Sequence, residues 1–226
     1  MFVQRFELNQ LGQDYVVGDI HGEYHLLQQE LNNIGFNQSI DRLFCVGDLV
    51  DRGKYSSHAI KWLNKPWFHS CRGNHDDFLL HAYADNNFDL NLWTSTNGGK
   101  WWKTIDEKTQ YELYEAFLSM PIAIEIESKK GIIGIVHADV PAQLSWQAFT
   151  KALEQDNQSA FEHALWSRKR AYGKVTNPVA GAFRVFCGHT VMHDGCYIVR
   201  GNVFFIDTGS GYQSSDSILT LLPIDI

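Results

Sequence analysis

Short apolar runs that stop at a polar residue recur along this chain, and helical spacing fills the gaps between them. Asp14–Gly18 (DYVVG) reads as a short buried strand, and Glu23–Ile34 follows with Leu27, Leu31 and Ile34 at helical spacing. Leu43–Gly47 (LFCVG) is a second strand, Ser56–Leu63 a helix, Trp67–Cys71 a third strand and Asp76–Ala84 a further helix. This βαβαβα order predicts a largely parallel sheet with helices on its faces. Asn86–Met120 reads as helical and aromatic, interrupted by NGGKWW. Beyond Pro121, Ile122–Ile126 and Gly131–Val136 form a predicted hairpin turned at Ser128-Lys129-Lys130. Helical segments follow around Trp146–Gln155 and Ala160–Lys169. The end is strand-rich, at Arg184–Cys187, Cys196–Val199, Val203–Ile206 and Ile218–Leu222, with Arg200-Gly201-Asn202 suited to a hairpin turn. The expected class is α/β at the start and α+β in the C-terminal half, with two mixed β-sheets packed between helices.

Composition narrows this picture. The 226 residues, without repeats or a Pro/Ser-rich linker, suit one domain over residues 1–226. A hydrophobic fraction of 44% with 20% charged residues is that of a soluble globular protein, and 13% aromatic residues argue against disorder. No apolar run approaches the ~20 residues of a membrane span, and the N-terminus shows no signal peptide pattern, so a cytoplasmic location is the default expectation. The four cysteines form no CxxC pair; three sit in apolar runs, and all are read as reduced thiols. A net charge of −7 argues against nucleic acid as a partner. It is compatible with an anionic substrate only if carboxylates surround bound cations, which reverse the local sign.

Five strand ends point in that direction. VVGDIHG ends with Asp19 and His21, and FCVGDLVDRG with Asp48, Asp51 and Arg52. SCRGNHD ends with Arg72, Asn74 and His75, GIVHAD with His137 and Asp139, and VFCGHT with His189. In open α/β sheets the ligand site lies at the carboxyl ends of the strands. Asp19, His21, Asp48, Asn74, His137 and His189 offer oxygen and imidazole donors without thiolate, a set that suits Mn, Fe or Zn. One shared carboxylate would hold two ions roughly 3.5–4 Å apart, making a bridging hydroxide the nucleophile. Arg52 and Arg72 could grip phosphate, and His75, held by Asp51, could protonate a leaving oxygen.

GDIHG, GDLVDRG, RGNHD, HAD and GHT, in this order, resemble the metal-dependent phosphoprotein phosphatase family, serine/threonine type, in particular its small bacterial and phage branch. The similarity runs nearly end to end and includes IGF, PWF, NGG followed by aromatics, LWSR and IDTG. The resemblance implies a calcineurin-like metallophosphoesterase architecture. It implies that Asp19, His21 and Asp48 hold a first metal, and that Asp48, Asn74, His137 and His189 hold a second, Asp48 bridging. The cofactors would be two divalent ions, Mn2+ first, with Fe or Zn as alternatives. It further implies His75 as general acid paired with Asp51, and Arg52, Arg72 and Arg168 as phosphate-binding residues. Asp207 and Thr208 are expected at a turn beside the site, and Trp101 and Trp102 in the core.

One position departs from the pattern. Protein phosphatases typically close the third motif with glutamate, where this chain has Asp76. Symmetrical dinucleoside-tetraphosphate hydrolases typically carry GNHD, but usually have alanine at the position of Asp51. Asp51 weighs more, because it has a chemical partner in His75. The expected function is hydrolysis of phosphoserine and phosphothreonine in proteins or peptides, with phosphotyrosine as a further substrate class. The rival enzyme reading is dinucleoside-tetraphosphate hydrolysis. The non-enzymatic rival is a metal-binding interaction protein, although no expected ligand or acid is missing. No cysteine lies in a Cys-x5-Arg loop, which disfavours a thiol nucleophile.

Overall fold

The computed structural model describes residues 2–212 and 218–225. Two β-sheets lie face to face. The smaller holds β2 (Asp14–Val17), β3 (Arg42–Cys45), β4 (Phe68–Ser70) and β10 (Leu221–Pro223), in the order β10-β2-β3-β4. Its first three strands are parallel, as the βαβαβα pattern predicts, and β10 joins antiparallel to β2. The crossovers carry α1 (Tyr24–Asn33) and α2 (Ala59–Leu63), and α3 (Asn74–Ala84) follows β4. α4 (Leu90–Thr96), a 3₁₀ segment over Gly99–Thr104 and α5 (Glu107–Leu118) make up the aromatic middle.

The larger sheet runs β1-β5-β6-β7-β9-β8. It comprises β1 (Val3–Phe6), β5 (Ala123–Ser128), β6 (Gly131–Val136), β7 (Arg184–Cys187), β8 (Ile198–Arg200) and β9 (Val203–Phe205). β5 and β6 form the expected hairpin, tightened to Lys129-Lys130, and β8–β9 turns at Gly201-Asn202. α6 (Trp146–Glu154) and α7 (Gln158–Trp166) lie between β6 and β7 in the chain. β1, which has no counterpart among the predicted strands, pairs in parallel with β5. The last predicted strand, Ile218–Leu222, is realised three residues later as β10, with Ile218 in an isolated bridge to Gly209.

Alternation along the strands sorts side chains into three cores. Val16 and Phe44 face Ile124, Ile133, Ile135 and Phe186 between the sheets. Val17, Leu43 and Cys45 point the other way, into a core with Leu27, Trp62, Leu79 and Phe117. Val185, Cys187, Val203 and Phe205 pack with Trp146 and Phe149 outside the larger sheet. The fold is thus four layers: helices, sheet, sheet, helices. The carboxyl ends of β2, β3, β4, β6 and β7 meet at one end of this sandwich.

His69 of β4 lies among rings, 4.4 Å from Phe6 and 5.3 Å from Phe44. Burial first, then Arg42, lowers its pKa from 6.5 to about 4. The unfolded chain therefore binds more protons between those values, and this group's contribution to stability is lost as pH falls through that window. The gap corresponds to at most about 3 kcal/mol. His69→Phe is expected to lose less stability than the parent between pH 6.5 and 4 in urea titrations; parallel loss would show that His69 is not the titrating group.

Candidate active site

The turn after β2 carries Asp19 and His21, that after β3 carries Asp48, Asp51 and Arg52, and that after β4 leads into Asn74 and His75 at the start of α3. His137 directly follows β6, and His189 follows β7 by one glycine. All six expected metal ligands are buried, and the structure brings them together. Asp48 belongs to two overlapping groups, one with His21 and His75 and one with Asp19 and His137.

The backbone is forced here. Among the described residues six non-glycines have positive φ, and five are His21, Asp48, Asp51, Arg52 and His189. Such conformations cost roughly 1–3 kcal/mol each and persist only where the surroundings impose them. Two glycines let carboxylates approach the chain. A Cβ on Gly73 would lie 2.1 Å from Asp48 Oδ1, and one on Gly188 1.8 Å from Asp19 Oδ1. The freed space is used by amides: His75 N donates to Asp48 Oδ1 at 2.9 Å, and His189 N to Asp19 Oδ2 at 3.0 Å.

Proton positions follow from the outer partners. His137 Nδ1 faces Val46 O at 2.9 Å, His21 Nδ1 faces Val50 O at 2.8 Å, and His189 Nε2 faces Trp166 O at 3.3 Å. A nitrogen facing a carbonyl must carry the proton. The opposite nitrogens are then bare. His137 Nε2 and His189 Nδ1 both point at Asn74 Oδ1, at 2.9 and 2.8 Å, and His21 Nε2 sits 3.5 Å from Asp48 Oδ2. Burial lowers the pKa of all three imidazoles, that of His189 to about 2, so none is charged near neutrality. For Asp48, burial opposes ionisation, but the surrounding imidazoles outweigh it and hold its carboxyl below the ordinary range. Lone pairs therefore face lone pairs at Asn74 Oδ1 and beside Asp48, although His21 Nε2 also accepts from Arg52. A divalent cation satisfies such a set, and the residues fit two of them.

His75 is committed differently. Its Nδ1 lies 2.7 Å from Asp51 Oδ2, as the pairing predicts. Burial pulls its pKa down, yet Asp48 and Asp51 outweigh burial and raise it above the ordinary value. Asp51 is also held by two indoles, Trp93 Nε1 at 2.6 Å and Trp101 Nε1 at 2.8 Å. Trp102 is a core residue as expected, but Trp101 is only partly buried and positions Asp51. The NGG break explains how: Gly98, at φ +88, brings its carbonyl against the Arg52 amide and folds the aromatic segment over the motif.

Two of the three expected phosphate-binding arginines stand at the cluster. Arg52 reaches His21 Nε2 at 2.5 Å and His75 Nε2 at 3.1 Å, with the Tyr212 ring 4.8 Å from its guanidinium. Arg168 donates to His189 O at 2.6 Å and Thr190 Oγ1 at 3.2 Å. Arg72 has its polar contacts elsewhere, with Asp77 at 3.3 Å and the carbonyls of Leu118 and Met120 at 3.2 and 3.4 Å. Asp139 is paired with the fully buried Arg170 at 2.8 Å. Asp207 accepts from Gly209 N at 2.9 Å, while its other oxygen is buried without a partner and burial pushes its pKa up to about 6.

Asp76 faces the protein interior. Its Oδ1 accepts from Leu49 N at 2.8 Å, and its Oδ2 from Asp48 N at 2.9 Å and Gly73 N at 2.8 Å. It closes the first turn of α3 and clamps the turn after β3 to the turn after β4. It therefore carries no direct reading of the substrate.

Residues 15–213 match the calcineurin-like phosphoesterase family, and the chain belongs to that family. It is 35% identical over 203 residues to Serine/threonine-protein phosphatase 2 of Salmonella typhimurium, covering 87% of each chain. A more local similarity, 42% over 74 residues, links it to the symmetrical bis(5'-nucleosyl)-tetraphosphatase of Erwinia tasmaniensis, over 31% of this chain and 26% of that one. The fold also matches the cold-active protein-tyrosine phosphatase of a Shewanella species, with a TM-score of 0.60 and 15% identity over 96% of this chain and 76% of that one.

Asp76→Asn turns one of the two accepting oxygens into an NH2 donor that faces a buried amide, and is expected to cost about 1–3 kcal/mol, read as a lower Tm, together with weaker Mn2+ binding by calorimetry. Asp76→Glu is expected to change activity on a phosphopeptide and on diadenosine tetraphosphate in the same proportion. A shifted ratio would mean that this side chain does select the substrate.

Proposed function

We propose that this chain is a metal-dependent protein phosphatase acting on phosphoserine and phosphothreonine, with phosphotyrosine as a further substrate class. The observation that carries this reading is the convergence of bare donor atoms on Asp48 beside an independently braced His75–Asp51 pair. Asp19, His21 and Asp48 would hold one divalent cation, and Asp48, Asn74, His137 and His189 a second, with manganese the first choice. Bound there, such ions offset phosphate charge and acidify water. The orphaned oxygen of Asp207 adds negative charge on the Asp19 side of that set.

The protein groups do the rest. Arg52 and Arg168 flank the cluster from two sides and can orient phosphate oxygens by their planar forks. Arg72 would have to exchange its Asp77 and carbonyl contacts to join them. His75 presents Nε2 toward the cluster, while its Nδ1–H is held by Asp51. Nε2 accepts from Arg52 at 3.1 Å and would exchange that contact for a proton to serve the departing ester oxygen; Asp51 would stabilise the charged ring while Trp93 and Trp101 fix Asp51. The four cysteines are free thiols, which suits the reducing cytoplasm.

The dinucleoside-polyphosphate reading rests on Asp76 and on similarities to symmetrical tetraphosphatases that run from 42% identity over 31% of this chain to 26% over 67% of it, against 35% over 87% for the serine/threonine phosphatase. Asp76 faces inward, so the phosphoprotein reading is preferred. Mn2+-loaded protein is expected to hydrolyse a phosphoserine peptide with a higher kcat/KM than diadenosine tetraphosphate; the reverse order would refute the assignment. His75→Asn is expected to lose about 10²–10⁴ in kcat on the phosphoserine peptide and much less on an aryl phosphate, whose leaving group needs little protonation. Equal losses on both would remove His75 from the acid role.

A further inference from the structure

Beside Arg168 lies a cavity of about 300 Å³ that the proposed reaction does not use. Its lining includes Tyr172, Thr190, Val191, Met192, Cys196 and Ile198. Three hydrogen bonds tie it to the candidate active site. Arg168 donates to Thr190, which lines the cavity and directly follows His189. The Tyr172 amide donates to Arg168 O at 3.0 Å, so one turn carries both the arginine and the cavity wall. The Met192 amide donates to Asp207 O at 2.8 Å, fixing the opposite wall to the rim of the cluster.

The surface around this hollow is apolar and open. Tyr172 is 64% exposed, and Tyr197 and Val199 of the same region are 39% and 40% exposed. An open hollow with largely apolar walls next to a reactive site is a place where a ligand group can bind. The volume is at the small end of ligand pockets and suits one bulky side chain. Val191, Met192 and Ile198 give the lining adaptable apolar contact, while His193 and Asp194 supply its polar side.

We propose that this cavity seats a bulky apolar side chain of the phosphopeptide substrate, within about three residues of the phosphorylated one. This rests on the phosphatase reading above. An extended peptide advances ~3.3 Å per residue, so a phosphate gripped by Arg168 leaves its near neighbours at the Thr190 side of the cavity. Filling it would also steady the turn that carries Arg168, which couples recognition of the flanking residue to the grip on phosphate.

The test uses heptapeptides with a central phosphoserine in an alanine background, with Leu, Phe or Asp placed singly from three residues before it to three after. Hydrolysis by the Mn2+-loaded full chain is one readout. Binding of the same peptides with a non-hydrolysable phosphonate at the centre is the other. In one register, Leu or Phe is expected to raise kcat/KM about tenfold over Asp, mainly through KM, and to tighten phosphonate binding similarly. Tyr172→Asp is expected to erase that preference and Tyr172→Phe to keep it; Cys196→Glu, at an exposed position, serves as a second disrupting variant should Tyr172→Asp not fold. A flat profile in both readouts overturns the proposal. Hydrolysis without preference rejects the pocket alone, whereas selective phosphonate binding without hydrolysis keeps the pocket and rejects the phosphatase reading. Diadenosine tetraphosphate binding that weakens in Tyr172→Asp would reassign the cavity to a nucleobase and overturn the proposal as well.

Discussion

The carboxylate of Asp76 accepts three backbone protons, and the geometry of the site hangs on them. It joins the amides of Asp48 and Leu49 to that of Gly73, so two strand-end turns that never pair as strands are locked at one spacing. Asp48 sits there in a left-handed conformation, which it would leave without such a clamp. Burial and the neighbouring Asp48 push the pKa of Asp76 up to about 7, while the three amides pull it down. The carboxylates of Asp76 and Asp48 thus oppose each other electrostatically, and positive charge placed beside Asp48 would relieve both.

The same economy recurs outward. Five of the six expected ligands are held by a backbone group: carbonyls hold His21, His137 and His189, and amides hold Asp19 and Asp48. The His75–Asp51 pair is braced in addition by indoles from the aromatic segment. The expected ligands and the His75–Asp51 pair share the turns after β3 and β4, and only the indole brace comes from another part of the chain.

Much of this was legible in the sequence. Apolar runs ending in Asp, Asn or His announced the strand ends, and the parallel order of β2, β3 and β4 followed from their alternation with helices. β1 was not legible, because VQRF alternates over only four residues and its partner β5 lies more than a hundred positions away. The indole contacts to Asp51 were equally hidden, since neither Trp93 nor Trp101 has a local signal for a partner that tertiary folding supplies. Arg72 shows the converse limit: adjacency to Asn74 in sequence does not decide which way a long side chain turns. Asp76 looked like a clue to the substrate because it stands beside His75, yet consecutive residues of a helix point in different directions.

The sheet order has a consequence for how the chain is made. β2, which aims Asp19 and His21, pairs on one side with β3 and on the other with β10, which is made long after it. β1 waits likewise for β5. Both sheets thus join strands distant in synthesis, and the nascent chain carries an open β2 edge until β10 is made, the interval in which such edges invite pairing with other chains.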